Sequence, residues 1–368
     1  MNNFRRIQQI IYQFFSLDKI IITMLFCLAI INGFVQYSAN DKVILKLLND
    51  VIYLVVSMLI LMIVANLNLA KIKHLAIPLY IISLILLALV IPFGSTIHGA
   101  KRWLSIGIRI QPSEICKLSV PLILAYYYSL KNYAPKFREY IIGFILILIP
   151  FLLIAKQPDL GTGILVFSAG FFVLFFAGLP WRVVLVVLIL FASSTPLIWH
   201  FMLHDYQKHR ILTLLNPESD PLGTGYHIIQ GIIAIGSGGI KGKGYLHGTQ
   251  IHLDFIPEKH TDFVISVLAE EFGYIGVCIL LCIYLVLILR SMRIVTQTND
   301  LFARLIGVSI TLSFTLYVLI NMGMVSGILP VVGVPLPFIS YGGTAMIVLS
   351  IGFGIILAID KQNRYEHL

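Results

Sequence analysis

IPEKHTDFVISVLAEEFGYIGVCILLCIYLVLILR, residues 256–290, decides the architecture. From Phe263 to Leu289 its only charges are Glu270 and Glu271. At about 1.5 Å of rise per helical residue that run crosses a hydrocarbon layer about 30 Å thick. Similar apolar runs recur along a chain of 368 residues that is 58% hydrophobic and only 12% charged. Backbone amides inside a bilayer must be satisfied within their own segment, so runs of this length predict helices, whereas barrel strands would be half as long and alternating.

The spacing predicts spans near 19–37, 49–67, 73–93, 112–129, 139–156, 160–178, 182–200, 263–289, 304–325 and 341–360. The fold class expected is therefore an all-α polytopic membrane protein with ten transmembrane helices. Arg5, Arg6, Lys19, Lys71, Lys73, Lys131, Lys136, Arg138, Arg182, Arg290, Arg293, Arg304, Lys361 and Arg364 then fall on one face. Short basic loops stay in the cytoplasm, so both termini are expected there. Residues 1–18 form a basic, amphipathic interfacial segment, 19–360 a single membrane domain and 361–368 a cytoplasmic tail. The large loop between helices 7 and 8, residues 201–262, faces outward, too long for a mere connector. Lys101, Arg102, Arg109, Lys208, Arg210, Lys241, Lys243 and Lys259 make this outer face cationic, which suggests an anionic ligand.

Several stretches carry candidate chemistry. In GAKRWLSIGIRIQPSEICK, Trp103 suits an interfacial anchor, and Glu114 and Lys117 share a helix face inside a span, as a structural pair or a ligand-facing one. In AKQPDLGTG, Asp159 can cap the sixth span. GSGGIKGKG offers Lys241 and Lys243 on a glycine-rich turn that suits either phosphate or plain solvation. NMGMVSGILPVVGVPLPFISYGG has too many prolines to be one helix, so it packs in protein or lines a cavity suited to a lipid tail. In the opening stretch, Asp262 or Thr261 can cap the eighth span, while Glu270 and Glu271 demand partners. His200, His204 and His209 do not complete a zinc set, no GxSxG elbow is present, and Cys27, Cys116, Cys278 and Cys282 fit small buried thiols. Intramembrane charge with broken helices also fits a transporter, such as a flippase for a lipid-linked substrate, although carriers keep such groups near the midplane.

Taken in order, GAKRWLSIG with QPSEICK, KQPDLGTG, YHIIQGIIAIGSGG with GKG, PEKHTDFVISVLAEEFG and PLPFISYGG resemble the shape, elongation, division and sporulation (SEDS) family, and most its elongation member, from about residue 15 to 360. The resemblance implies a peptidoglycan glycosyltransferase of the bacterial cytoplasmic (inner) membrane, polymerising lipid II on the outer face. It also implies a class B penicillin-binding protein and other elongation-complex membrane proteins as partners, and no nucleic acid. It places the essential acid on Asp262, as probable general base, and substrate contacts on Glu114, Lys117, Trp103, Arg109, Asp159, Arg210 and, within PLPFISYGG, Ser340. Lys241 and Lys243, or a divalent cation such as Mg or Mn held by carboxylates and phosphate, are further expected to neutralise the leaving diphosphate.

Overall fold

The computed structural model describes residues 17–366, apart from 41–42, 98–99, 107, 132–134, 198, 201–204, 221–222, 254 and 257. Its helices follow the predicted spans closely: α1 (Lys19–Ala39), α2 (Ile44–Ala65), a short α3 (Leu69–His74) and α4 (Ala76–Phe93). After a small sheet come α5 (Pro112–Ser129), α6 (Phe137–Ala155), α7 (Leu160–Phe176) and α8 (Trp181–Leu197). The long connection after α8 contributes α9 (Asp205–Leu215), α10 (Thr224–Gly238) and α11 (Thr249–His252), and α12 (Val264–Thr296), α13 (Leu301–Val325) and α14 (Gly343–Glu366) follow.

Local chemistry sets the helix starts. Asp18 accepts a hydrogen bond from the Ile21 amide at 2.9 Å to open α1, and Asp300 does the same for α13 from Phe302. Pro112 opens α5 at a position where its missing N–H costs nothing. Seven of the described helices are long and apolar enough to cross a membrane, and α7 and α8, at 17 residues each, are apolar but shorter. Helix α5 has 18 residues and carries the buried Glu114 and Lys117. The architecture is thus a mostly helical polytopic membrane protein.

Two departures from expectation matter. The all-α polytopic class holds, with one unforeseen addition, a small three-stranded antiparallel sheet within residues 95–110: β1 (Ser95–Ile97), β2 (Ala100–Ile106) and β3 (Ile108–Ile110). Trp103 lies opposite Ser95, and Arg109 opposite Ser105. The alternation of large apolar and polar side chains there has the period of two that favours strands. The second departure is in α12, where Gly273 takes φ 67 and ψ −163 and divides one rod into two.

Helix α1 packs on α12, α2 on α14, α4 on α5, and α6 on α7, while α13 runs against α5, α7, α12 and α14. A continuous core includes Leu25, Leu87, Tyr128, Tyr284, Phe314 and Phe353. Helix α10 packs on α12 and α13, which brings the long connection down onto the bundle.

Candidate active site

Residues 258–263 form a turn ahead of α12, closed by hydrogen bonds from Thr261 N and Phe263 N to the Glu258 carbonyl. Three successive carbonyls of this turn are then fixed from different sides. That of His260 accepts from Gln36 Nε2 at 2.9 Å and from Tyr341 N at 2.9 Å. Thr261 O accepts from the Ser340 hydroxyl, and Asp262 O accepts from Asn321 Nδ2 at 3.0 Å. Such a backbone has no freedom to carry its side chain away.

The Asp262 carboxylate itself is uncommitted. Phe263 occupies the N-cap of α12 and there is no side-chain cap, so the helix start makes no use of Asp262 or Thr261. Among the described residues no hydrogen bond reaches the Asp262 oxygens. Oδ2 faces Gly333, where a Cβ would stand 3.4 Å away on a backbone with φ +73. Burial, followed by the negative charge of Glu258, pushes the carboxyl up to about 6, and Arg210 draws it partly back. Arg210 donates to the Val331 carbonyl at 2.9 Å, so the broken segment before α14 holds the guanidinium near the acid.

A second cluster lies deeper. Lys117 Nζ donates to Glu114 Oε1 at 2.5 Å, both side chains 7% exposed, and sits 4.7 Å from the Tyr317 ring centroid. The other Glu114 oxygen is buried without a partner. Asp159 caps α7 through Thr162 N at 3.3 Å, accepts from Gln111 Nε2 at 3.2 Å and lies 3.7 Å from Arg102. Glu114 and Asp159 are both within electrostatic reach of the buried Tyr317.

Helix α13 joins the two clusters. Tyr317 and Asn321 are four residues apart and so share a face, about 6 Å from each other along one turn. The first touches Lys117 and the second holds Asp262. Asn321 also donates to Val334 O at 2.7 Å, fixing the broken segment on the same support. Asn321 and Tyr317 were absent from the sequence-derived set, although a polar Asn inside an apolar span was a usable signal.

The remaining candidates scatter. Trp103 is half-buried in β2, and Arg109 lies in β3, its side chain outside what is described. Lys241 is exposed on the glycine-rich turn. Lys243 turns to Glu270, at 2.7 Å, and to Thr249, at 2.7 Å, rather than towards Asp262. Ser340 is buried, its hydroxyl engaged by Leu336 N and Thr261 O. His204 lies outside the described residues, and His209 pairs with Thr213 at 3.2 Å. Among the described residues no three His, Cys, Asp or Glu side chains form a metal-holding group.

Comparison with known proteins follows the same lines. The chain is 47% identical over 349 residues, 95% of its length and 94% of the relative, to peptidoglycan glycosyltransferase MrdB of Escherichia coli K12. It is 34% identical, over 94% of its length and 95% of the relative, to a probable peptidoglycan glycosyltransferase FtsW of Geobacter metallireducens. A chain in a solved structure described as "Structural coordination of polymerization and crosslinking by a peptidoglycan synthase complex" superposes with a TM-score of 0.82 at 31% identity, covering 95% of this chain and 98% of that one. The crystal structure of the rod shape determining protein RodA of Thermus thermophilus gives 0.71 at 29%, with 95% and 98% coverage. The family model described as "Cell cycle protein" for FtsW, RodA and SpoVE matches residues 8–365, and the chain belongs to that family, the SEDS proteins.

Proposed function

We propose that this peptidoglycan glycosyltransferase polymerises lipid II into β-1,4 glycan at the outer face of the cytoplasmic membrane, with Asp262 as general base. The observation that carries the assignment is an acid held by its backbone and free at its oxygens. The other carboxylates along the opening stretch, Glu258, Glu270 and Glu271, each accept at least one hydrogen bond. The acceptor sugar's 4-hydroxyl gives its proton to Asp262 as its oxygen attacks the anomeric carbon of the growing strand, and the bond to polyprenyl diphosphate breaks with inversion. A carboxyl raised to about 6 is largely ionised at neutral pH yet a stronger base than an ordinary aspartate. Arg210 and, one turn deeper, Lys117 supply positive charge to the departing diphosphate.

A divalent ion at this place would rest mainly on diphosphate oxygens, with Asp262 and Glu258 as the neighbouring carboxylates, and would neutralise leaving-group charge. The chemistry above uses only the chain's own side chains.

Ten crossings with cytoplasmic termini are the reading that α5, α7 and α8 support beside the seven helices long and apolar enough to cross a membrane. Asp262, at the end of the long outer loop, then stands on the extracytoplasmic side. Lipid tails would lie along the apolar groove of about 500 Å³ between Met24 and the Ile275–Val286 face of α12, or beside the 328–340 segment. The solved synthase complex supports a crosslinking penicillin-binding protein as partner.

The test is polymerisation of purified lipid II by Asp262→Asn with the partner held constant. Retained activity in a folded, partner-bound variant would defeat the assignment.

A further inference from the structure

The proposed reaction joins two lipid-linked saccharides, so one headgroup site is not enough. Asp262 faces α13 and the segment around Gly333. On the α1–α2 side of the same turn lies a separate cavity of about 230 Å³ lined by Asn40, Asn49, His260 and Tyr341. Its volume is that of roughly seven or eight waters at about 30 Å³ each, room for a single sugar ring. Its lining is two carboxamides, an imidazole and a phenol ring, groups that hydrogen-bond hydroxyls and acetamides or lie against a pyranose face.

Beside the cavity is an unexplained group. Asp50 of α2 is 0% exposed and neither of its oxygens has a hydrogen-bond partner. Its polar neighbour Asn32, whose amide nitrogen also donates to the Ile339 carbonyl at 3.0 Å, lies close enough to favour its charge but not within hydrogen-bond geometry. Asp50 follows Asn49 directly and lies within electrostatic reach of the Tyr341 phenol, which Tyr53 backs edge-on at 6.5 Å. A buried carboxyl with nothing to bind is costly, and its usual explanation is a ligand, water or ion that completes it. On α1, Asn32, Gln36 and Asn40 recur every four residues, so a buried polar stripe runs from the cavity towards Asp50.

We propose that the cavity lined by Asn40, Asn49, His260 and Tyr341, completed by Asp50, is a second saccharide subsite that holds one N-acetylated sugar ring of a lipid-linked substrate. This rests on the polymerase reading. Substrate in this subsite contacts His260, two residues from Asp262, so both headgroups meet across one rigid turn.

The probe is a soluble β-1,4-linked N-acetylglucosamine disaccharide, titrated by saturation-transfer NMR into nanodisc-embedded full-length protein carrying Asp262→Asn, which blocks turnover. Binding is expected in that background, and adding Asn49→Ala or Tyr341→Ala should weaken it roughly tenfold, the scale of one or two lost hydrogen bonds or ring contacts. Asp50→Asn, which keeps size and hydrogen bonding, should change it less than Asp50→Leu. In the active protein, Asn49→Ala should raise the lipid II concentration needed for half-maximal polymerisation about tenfold with little change in the maximal rate. Absence of disaccharide binding, or binding indifferent to both Asn49→Ala and Tyr341→Ala in variants with unchanged thermal melts, overturns the subsite. Failure of the polymerase reading would instead show as no polymer from the unsubstituted protein with its partner.

Discussion

Asp262 and the pair Glu270–Glu271 lie within nine residues of one another, yet they are opposite kinds of acid. Glu270, fully buried, accepts from Lys243, Thr249 and the amides of Gln250 and Ile251. Glu271 accepts from Ser38 at 2.5 Å and from Leu246 N at 3.1 Å. These two glutamates stitch the glycine-rich turn and α1 to α12. Asp262, by contrast, has a pinned main chain and unclaimed oxygens. On the proposed reading, the donors an acid already holds separate a clasp from a reagent: hydrogen bonds to a carboxylate stabilise its charge and make it a weaker base.

Substitutions should widen that contrast. Asp262→Asn should lower polymerisation by about 10²–10⁴, the usual span for a general base, with the folded fraction unchanged in a fluorescence-detected sizing assay. Glu270→Ala should instead lower stability by about 2–4 kcal/mol, because it leaves the amides of Gln250 and Ile251 without their acceptor, and this would be read as a fall in melting temperature. An active-site role for Glu270 would show as lost polymerisation at unchanged stability. Asn321→Leu frees the Asp262 carbonyl and should slow polymerisation by up to about 10² through misplacement of the acid, while lipid II binding persists. Activity of the unsubstituted protein should fall about tenfold per pH unit below the Asp262 value of about 6, since only the ionised acid is a base. The smallest effect is on stability. A carboxyl raised from 3.8 to about 6 by folding binds its proton more tightly in the folded state, so it weakens the fold as pH climbs through that window and above it. Asp262→Asn should therefore melt slightly higher than the unsubstituted protein at pH 8, with the difference gone near pH 4.

Much of this was legible beforehand. Each predicted span corresponds to a helix because about twenty apolar residues in sequence have few other options. The order of KQPDLGTG, HTDF and PLPFISYGG pointed to the family, and Asp159 caps α7 as its position suggested. The sheet at 95–110 was missed because strands of three to seven residues leave a weak periodic trace. The oxygens of Asp262 were ambiguous from sequence, since an acid before a helix looks like a cap until its amides are found elsewhere. The packing of the glycine-rich turn was not legible either. Its backbone approaches α12: a Cβ on Gly242 would stand 2.1 Å from the Glu271 carbonyl oxygen, a contact no local pattern announces. Tyr317 and Asn321 became visible as a bridge only when α13 was set against α5 and the 260s.

The break at Gly273 has one more implication. A continuous helix of 33 residues would measure about 50 Å, well over the thickness of the hydrocarbon layer. Around the break, amides of Lys243 and Gly244 donate to Glu270 and Glu271, while those of Tyr274 and Ile275 donate to Gly239 and Ile240. The glycine-rich turn therefore holds α12 on both sides of the break, through the carbonyls of Glu270 and Glu271 above it and the amides of Tyr274 and Ile275 below it. Gly273 is thus a joint clamped by a single turn: a Cβ there would stand 2.3 Å from the Gly242 amide nitrogen, so any side chain would prise the clamp and the two halves of the helix apart together.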